Sequence, residues 1–407
     1  MSAVASYRAL LRTVGPAYVL VAFLGRIPLA MSQLGTLVMV SEASGRYAWG
    51  GAAAGALAIA NAVGAPVAGL LADRIGQRPV VVVQSILGAL GLISLVVVTT
   101  PEAPRTLIVA VAAVTGLMLP QVGPLARVRW RPITEHSEGD PVRRRRLVDA
   151  AFSYEGAADE ASFVLGPALI GVLGVLVDPA GAVVTAGVVL AVFGTWFAVH
   201  PTVRLVKRAA AHAAEDHRFW SVAFVVLIGA QFCAGTLFGS IQTGTTVLAT
   251  AAGQAGLAGL IHACLGIGSV IAGLAITALP ERILYATRML VAAAALFALA
   301  VPLWWVDSLP ALVAVIVVLG FAVAPYMISN FALAGILVPL SGVGTAMTFL
   351  AAATGLGYAT GAAVAGRAAD AGGHQPAFLV TICAAGGAFV LALLANPVLR
   401  RARVVNA

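Results

Sequence analysis

Long apolar runs, separated by short breaks rich in charge, Pro or Gly, fill almost the whole chain. A helix needs roughly 20 apolar residues to cross the hydrocarbon core of a bilayer, so each run predicts one spanning helix. Twelve such runs can be drawn. The first six lie at 14–40, 48–71, 79–100, 106–126, 149–176 and 180–200. The second six lie at 219–248, 255–279, 289–306, 310–336, 342–366 and 376–396. The first run is too long for the apolar part of a cleavable leader and continues into Ser41-Glu42 without a cleavage-like site.

Composition agrees and excludes other classes. Of 407 residues 61% are apolar and 10% charged, with a mean hydropathy of +1.00, against about 25% charged in soluble domains. A soluble enzyme with one anchor, a disordered chain, a nucleic-acid-binding domain and a disulfide-stapled secreted fold are all excluded. The net charge of +8 changes the picture only through its placement. Arginines cluster between apolar runs, as in cytoplasmic loops, and a cytoplasmic N-terminus puts 20 of the 24 Lys and Arg on that side. Both termini are therefore expected inside. Lys207 is the sole lysine; with the abundant Ala and Gly, this points to a GC-rich bacterial genome and an inner-membrane location. Cys233, Cys264 and Cys383 stand alone in apolar runs with no metal-ligand spacing, so no metal or cofactor is expected.

The chain divides near its middle. The polar stretch 201–218 reads as a cytoplasmic linker between residues 1–200 and 219–407, each a six-helix bundle. A second basic stretch, 127–146, reads as the loop between spans 4 and 5, with its RRRR run a topology anchor. A shift of 204 residues superposes the halves. Val21, Gly25, Ala30 and Gly35 fall on Val225, Gly229, Ala234 and Gly239; Gly55, Gly64, Gly69 and Leu70 fall on Gly259, Gly268, Gly273 and Leu274. Tyr154, Ala158 and Ala161 fall on Tyr358, Ala362 and Ala365. Parallel repeats of this kind predict two bundles related by an axis along the membrane normal.

Between spans 2 and 3 the chain reads Gly69-Leu70-Leu71-Ala72-Asp73-Arg74-Ile75-Gly76-Gln77-Arg78-Pro79. This resembles the loop motif G-x-L-A-D-R-x-G-R-R of the major facilitator superfamily, with Gln77 in place of an arginine. The resemblance implies an all-α membrane protein of twelve transmembrane helices in two pseudo-symmetric six-helix bundles, the major facilitator fold. It also implies a conformational latch of Gly69, Asp73, Arg74, Gly76 and Arg78, in which Asp73 meets the start of span 11 near Gly342 to Thr345. Arg74 and Arg78 are expected to pair with nearby carboxylates or helix C-termini. The counterpart beginning at Gly273 has lost the charged core. Gly166-Pro167 and Gly171 in span 5 resemble a degenerate antiporter motif of exporters in that superfamily; small-residue packing of a proline-bent helix explains them equally well.

Ionisable groups at membrane depth are costly and are functional candidates by default. Here they are Arg26 in span 1, Glu155, Asp159 and Glu160 in span 5, and His262 in span 8. The 204-residue shift places Ala230 at Arg26, Ala359 at Glu155, Ala363 at Asp159 and Val364 at Glu160, so these charges belong to one half alone. At the helical rise Arg26 lies ~18 Å into span 1 and Asp159 ~15 Å into span 5. Asp159, and next Glu160, are the expected partners of Arg26. One arginine cannot neutralise three acids, so at least one is expected protonated, as proton coupling requires, or in water; Glu155 is the one expected near the cytoplasmic mouth. A structural salt bridge between spans 1 and 5 is the competing reading, and His262 is expected to be a packing residue. Gln33, Asn61, Gln121, Gln231, Gln242, Tyr326 and Asn330 are candidates to line a central cavity, where amides suit a neutral or amphipathic solute.

The function expected from residues and resemblance together is a monomeric secondary transporter working by alternating access. Its partners would be a small-molecule substrate, protons and the lipid bilayer. Proton-coupled efflux of a drug-like compound or sugar derivative leads; an uptake symporter, and a non-transporting receptor or assembly factor, are the rivals. No Walker-type, metal-cluster or G-x-S-x-G pattern points to an enzyme.

Overall fold

A computed structural model describes residues 3–45, 47–100, 102–206, 219–254, 257–279 and 283–401. They form twelve helices long and apolar enough to cross a membrane. In the first half these are α1 (Ala3–Ser44), α2 (Tyr47–Ile75), α3 (Gln77–Val98), α4 (Arg105–Ser137), α5 (Pro141–Leu176) and α6 (Pro179–Val199). The second half contributes α7 (Val222–Ala251), α8 (Ala258–Ala275), α9 (Tyr285–Trp305), α10 (Leu309–Leu337), α11 (Val343–Gly372) and α12 (His374–Arg401). Twelve crossings bring both chain ends to one face, called here the termini face.

Several helices run past their expected ends, and the difference is largest at 127–146. That stretch is not a loop. Pro120 has no N–H to donate, and α4 is interrupted there between Met118 and Val122. It then resumes through Ser137 and carries Arg127, Arg129 and Arg131 as helical residues. Only residues 138–140 separate it from α5, whose start is capped by Asp140 accepting from the Val142 N–H. Three residues counted as loop arginines thus lie within a helix. Residues 207–218 of the expected linker lie outside the described residues; those before them include a short 3₁₀ turn, Pro201–Leu205.

Small residues set the closest helix contacts, as expected where lipid gives no hydrophobic drive for helix pairing. On α7, a Cβ at Gly235 or Gly239 would run into the carbonyls of Thr354 and Tyr358 on α11. On α11, Gly357 and Gly361 press reciprocally against Phe232 and Thr236 of α7. Gly166 of α5 brings that helix against α1, where a Cβ would lie 2.6 Å from the Ala30 Cβ.

Across the two bundles, α2 faces α11 and α5 faces α8. In the half nearer the termini face the bundles touch: Gly69 packs on Gly344 and Thr348 of α11, and a Cβ at Gly156 of α5 would lie 2.7 Å from Ile328 of α10. Farther along, a Cβ at Gly51 or Gly55 of α2, Gly171 or Gly174 of α5, Gly259 of α8 or Gly366 of α11 would meet nothing within 4 Å.

Candidate functional site

The ionisable groups of α1, α4 and α5 converge inside the first bundle. Arg26 donates through Nη2 to Glu155 Oε2 at 2.6 Å and through Nη1 to Asp159 Oδ1 at 2.8 Å. Its Nε bonds the Ala22 carbonyl of its own helix at 3.1 Å. Asp159 Oδ2 pairs with Arg127 Nη2 at 2.7 Å, and the Trp130 indole donates to Glu155 Oε1 at 2.7 Å. Two guanidiniums and two carboxylates therefore form one charge-balanced node. Each partner lowers the cost of burying the others.

This arrangement corrects three expectations. Glu155 is not solvated: its side chain is 0% exposed and holds Arg26. Of the two acids that hold Arg26, Asp159 is the one with residual exposure, at 22%. Glu160 is not a partner of Arg26; it lies beside Ser269 of α8, in the other bundle. The count of one arginine for three acids fails because Arg127, read as a loop residue, enters the membrane on the resumed α4. The Arg127 guanidinium also stacks 4.2 Å above the ring centroid of Phe331 on α10, so the node touches the second bundle. Arg127 Nη1 is buried with no partner among the described residues.

Most of the expected cavity residues are committed to structure. Asn61 on α2 donates 3.0 Å bonds to the Gly116 and Leu119 carbonyls at the break in α4, and accepts from Gln121 at 2.7 Å. A broken helix at membrane depth needs such partners; Asn61 supplies them and Gln121 holds Asn61 in place. In the second bundle Gln231 bonds Thr354 at 2.9 Å and Asn330 at 2.8 Å, Asn330 also bonds the Leu227 carbonyl, and Tyr326 donates to the Ala230 carbonyl at 2.8 Å. All five of Asn61, Gln121, Gln231, Tyr326 and Asn330 are buried, which removes them from a cavity lining. Gln33 is half-buried, and Gln242 is exposed and accepts from the Tyr358 hydroxyl. His262 keeps a buried Nδ1 without a partner among the described residues.

At the termini face Asp73 reaches across the bundles to the first turn of α11. Its Oδ1 accepts from the Gly344 N–H at 3.0 Å, and its Oδ2 accepts from the Thr345 N–H and hydroxyl, each at 2.7 Å. A carboxylate here satisfies N–H groups that have no partner within the helix and meets the positive end of its dipole. Gly76, at φ 95°, makes the one-residue turn into α3 that a side chain would strain. Arg74 and Arg78 are exposed, and neither makes an ion pair among the described residues; the sharp turn directs them outward.

Gln77, the departure from the motif, has a partner that sequence reasoning missed. It is buried and accepts from Arg129 Nε at 2.9 Å. Arg129 is fully buried, donates to the Phe197 carbonyl and Thr202 hydroxyl, and stacks 3.7 Å over the Phe197 ring. An arginine at 77 would set two guanidiniums against each other. Just past α6, His200 is held below its ordinary pKa by burial and then by Arg129. It stays neutral and accepts from the Thr202 N–H.

Residues 227–406 match the sequence model of the Major Facilitator Superfamily. No curated protein matches the chain by sequence. Among solved structures, the human organic anion transporter MFSD10 (TETRAN) superposes with a TM-score of 0.70 at 20% identity, covering 94% of this chain and 99% of that one. The E. coli fucose:proton symporter FucP gives 0.65 at 16% identity, with 94% and 98% covered. FucP in its outward conformation gives 0.64 at 15% identity, with 94% and 99% covered. The chain is a multi-pass membrane protein with the major facilitator fold.

Proposed function

We propose that this chain is a secondary active transporter of the major facilitator superfamily that exports a small neutral or amphipathic compound from a bacterial cell in exchange for protons. The observation that carries the reading is the position of Asp159. It is shared by two arginines, is the acid of the node with residual exposure, and is one contact away from Phe331 in the opposite bundle. Protonating Asp159 removes the ion pair drawn to Arg127 and frees that guanidinium to leave Phe331. Proton occupancy is thereby coupled to the contact between bundles. A charge-balanced node attracts no ion by net charge, which favours a neutral solute, and the spare Nη1 of Arg127 can meet an acceptor oxygen on it.

Contacts at the termini face, with open space beside far-half glycines, support a state closed at the termini face and open opposite. Asp73 is the latch of that state. The termini face is the cytoplasmic one on the arginine count, so the state faces outward; a reporter fused after Asp178 should read as external. MFSD10 is described as an organic anion transporter and FucP as a fucose:proton symporter. Proton-coupled transport is therefore at home in this fold, while the substrate here is separate. The test is substrate flux in proteoliposomes under an imposed pH gradient of either sign. Efflux by exchange predicts that substrate moves against the proton gradient. Movement with it establishes the uptake symporter, and an absence of flux with every ligand that stabilises the purified protein favours a receptor.

A further inference from the structure

Two bundles that meet along two seams need a contact at each, since a contact at one seam alone leaves the other free to part. At the α2/α11 seam that contact is Asp73. By the 204-residue shift the other seam should use Thr277, which brings no charge. The structure places a different acid there. Asp149 lies roughly two turns into α5, and its carboxylate accepts from the Tyr285 hydroxyl at the start of α9. Its Oδ2 is 3.8 Å from Nη1 of Arg288 on the same helix. The Asp149 and Arg288 side chains are 13% and 4% exposed, so salt screens their contact little. Arg288 is itself held in place. Its Nε donates to the Ile283 carbonyl at 3.1 Å, and its guanidinium lies 5.2 Å from the Tyr285 ring centroid. A neutral bond also crosses between the bundles: the Tyr7 hydroxyl of α1 donates to the Leu274 carbonyl of α8 at 3.1 Å.

We infer that Asp149, Tyr285 and Arg288 form a second latch, which holds the α5/α9 side of the termini face shut as Asp73 holds the α2/α11 side. The inference rests on the alternating-access reading proposed above. Its chemistry is that of a releasable contact. A phenol donating to a carboxylate makes a charge-assisted bond, stronger than a neutral one. Both partners are side chains, and water takes their place once the bundles part, so the bond biases the equilibrium without fixing it. The packing of Gly156 against Ile328 supplies shape between the same bundles but no charge. The two latches differ in their donors. Asp73 accepts from backbone N–H groups and a hydroxyl at the start of α11, whereas Asp149 meets only side chains of α9 in the contacts described. The shifted counterparts of Asp149, Tyr285 and Arg288 are Ala353, Val81 and Gln84, which cannot make this contact. Each side of the face therefore carries a latch of its own, and the acid of each belongs to the first bundle.

The test is a distance measurement by pulsed electron paramagnetic resonance on the full chain in lipid, with no substrate present. Spin labels go on Val142→Cys and Leu279→Cys, exposed positions at the ends of α5 and α8 on the termini face, after Cys233, Cys264 and Cys383 are changed to Ala. The readout is the ratio of long to short distances, which a residue that only stabilises the fold would not move. Asp149→Ala should raise that ratio at least fivefold. Tyr285→Phe keeps the ring and removes only the hydroxyl, so it folds even if Asp149→Ala does not, and it should raise the ratio roughly threefold. Added to Asp149→Ala it should change nothing further, because the two act through one bond. Asp73→Asn is the reference. Combined with Asp149→Ala it should give a ratio near the product of the two single effects, since the two contacts share no partner. A wild-type ratio in both Asp149→Ala and Tyr285→Phe, beside a raised one in Asp73→Asn, overturns the second latch and leaves the transporter reading standing. A wild-type ratio in every variant overturns both.

Discussion

The two bundles build different polar nodes at matching positions. In the first, Arg26, Arg127, Glu155 and Asp159 form a network of charges. In the second, 204 residues on, Ala230 stands at Arg26 and offers its carbonyl to Tyr326, while Gln231, Asn330 and Thr354 link the same neighbourhood through neutral hydrogen bonds. The residues equivalent to Glu155 and Asp159 are Ala359 and Ala363. Arg127 and Phe331 are themselves 204 residues apart, and they stack on each other where the bundles meet. One half thus carries ionisable groups at membrane depth. The other fills the matching positions with neutral hydrogen-bonding groups.

The sharpest way to break this contrast is to unbalance the charged node. Arg26→Ala leaves Glu155 fully buried with the Trp130 indole as its one remaining side-chain partner among the described residues, and losing one member of a buried pair costs about 3–5 kcal/mol. Folded yield in membranes should fall severely. Adding Glu155→Gln should recover most of it, since a neutral amide can keep the Trp130 bond. Recovery only with Asp159→Asn would instead make Asp159 the principal partner. The equivalent Ala230 has no such dependency.

Next in size is Asp159→Asn. It removes the carboxylate while keeping the shape, so on the proposed coupling counterflow exchange of substrate should persist and accumulation driven by a pH gradient should be lost. Glu155→Gln and Glu160→Gln measured alongside show whether the role belongs to Asp159. Full gradient-driven accumulation in all three variants would reduce the node to a structural weld and erase the functional difference between the halves.

Asp73→Asn tests the asymmetry at the termini face, where the shifted counterpart is Thr277. The carboxylate accepts three bonds, two of them from a helix terminus, and an amide can accept fewer and without charge. About 1–2 kcal/mol of the closed state should go, a shift of roughly 5–30-fold in its population. Cysteine labelling from the termini face should become faster while the protein stays folded. Unchanged labelling and transport would show that the contact is incidental.

How much of this was legible in sequence depends on the distance over which each feature is determined. Apolar run length is local, so twelve spans were readable from it. The Asp73 motif was readable because one short segment holds its turn glycine, its acid and its close-packing Gly69. Residues 127–131 were misread because charge density marks loops only until a partner is known, and Arg127 finds Asp159 some thirty residues away. Asn61 and Gln121 were visible as polar groups at membrane depth. Their task was not, because it depends on where Pro120 breaks a neighbouring helix. Gln77 was visible as a departure, and its reason, Arg129, lies on another helix.

The smallest expected effect is in the neutral node, and it sharpens the comparison by its size. Asn330→Ala removes one bond to Gln231 and one to the Leu227 carbonyl. Hydrogen bonds between spanning helices are worth about 0.6 kcal/mol on average and rarely reach 2, because the separated helices find other partners. The variant should therefore lose only about 1 kcal/mol in a reversible unfolding measurement and keep its pH-driven transport. If transport instead collapses with stability intact, the neutral node takes part in substrate binding, and the division of labour between a charged half and a neutral half does not hold.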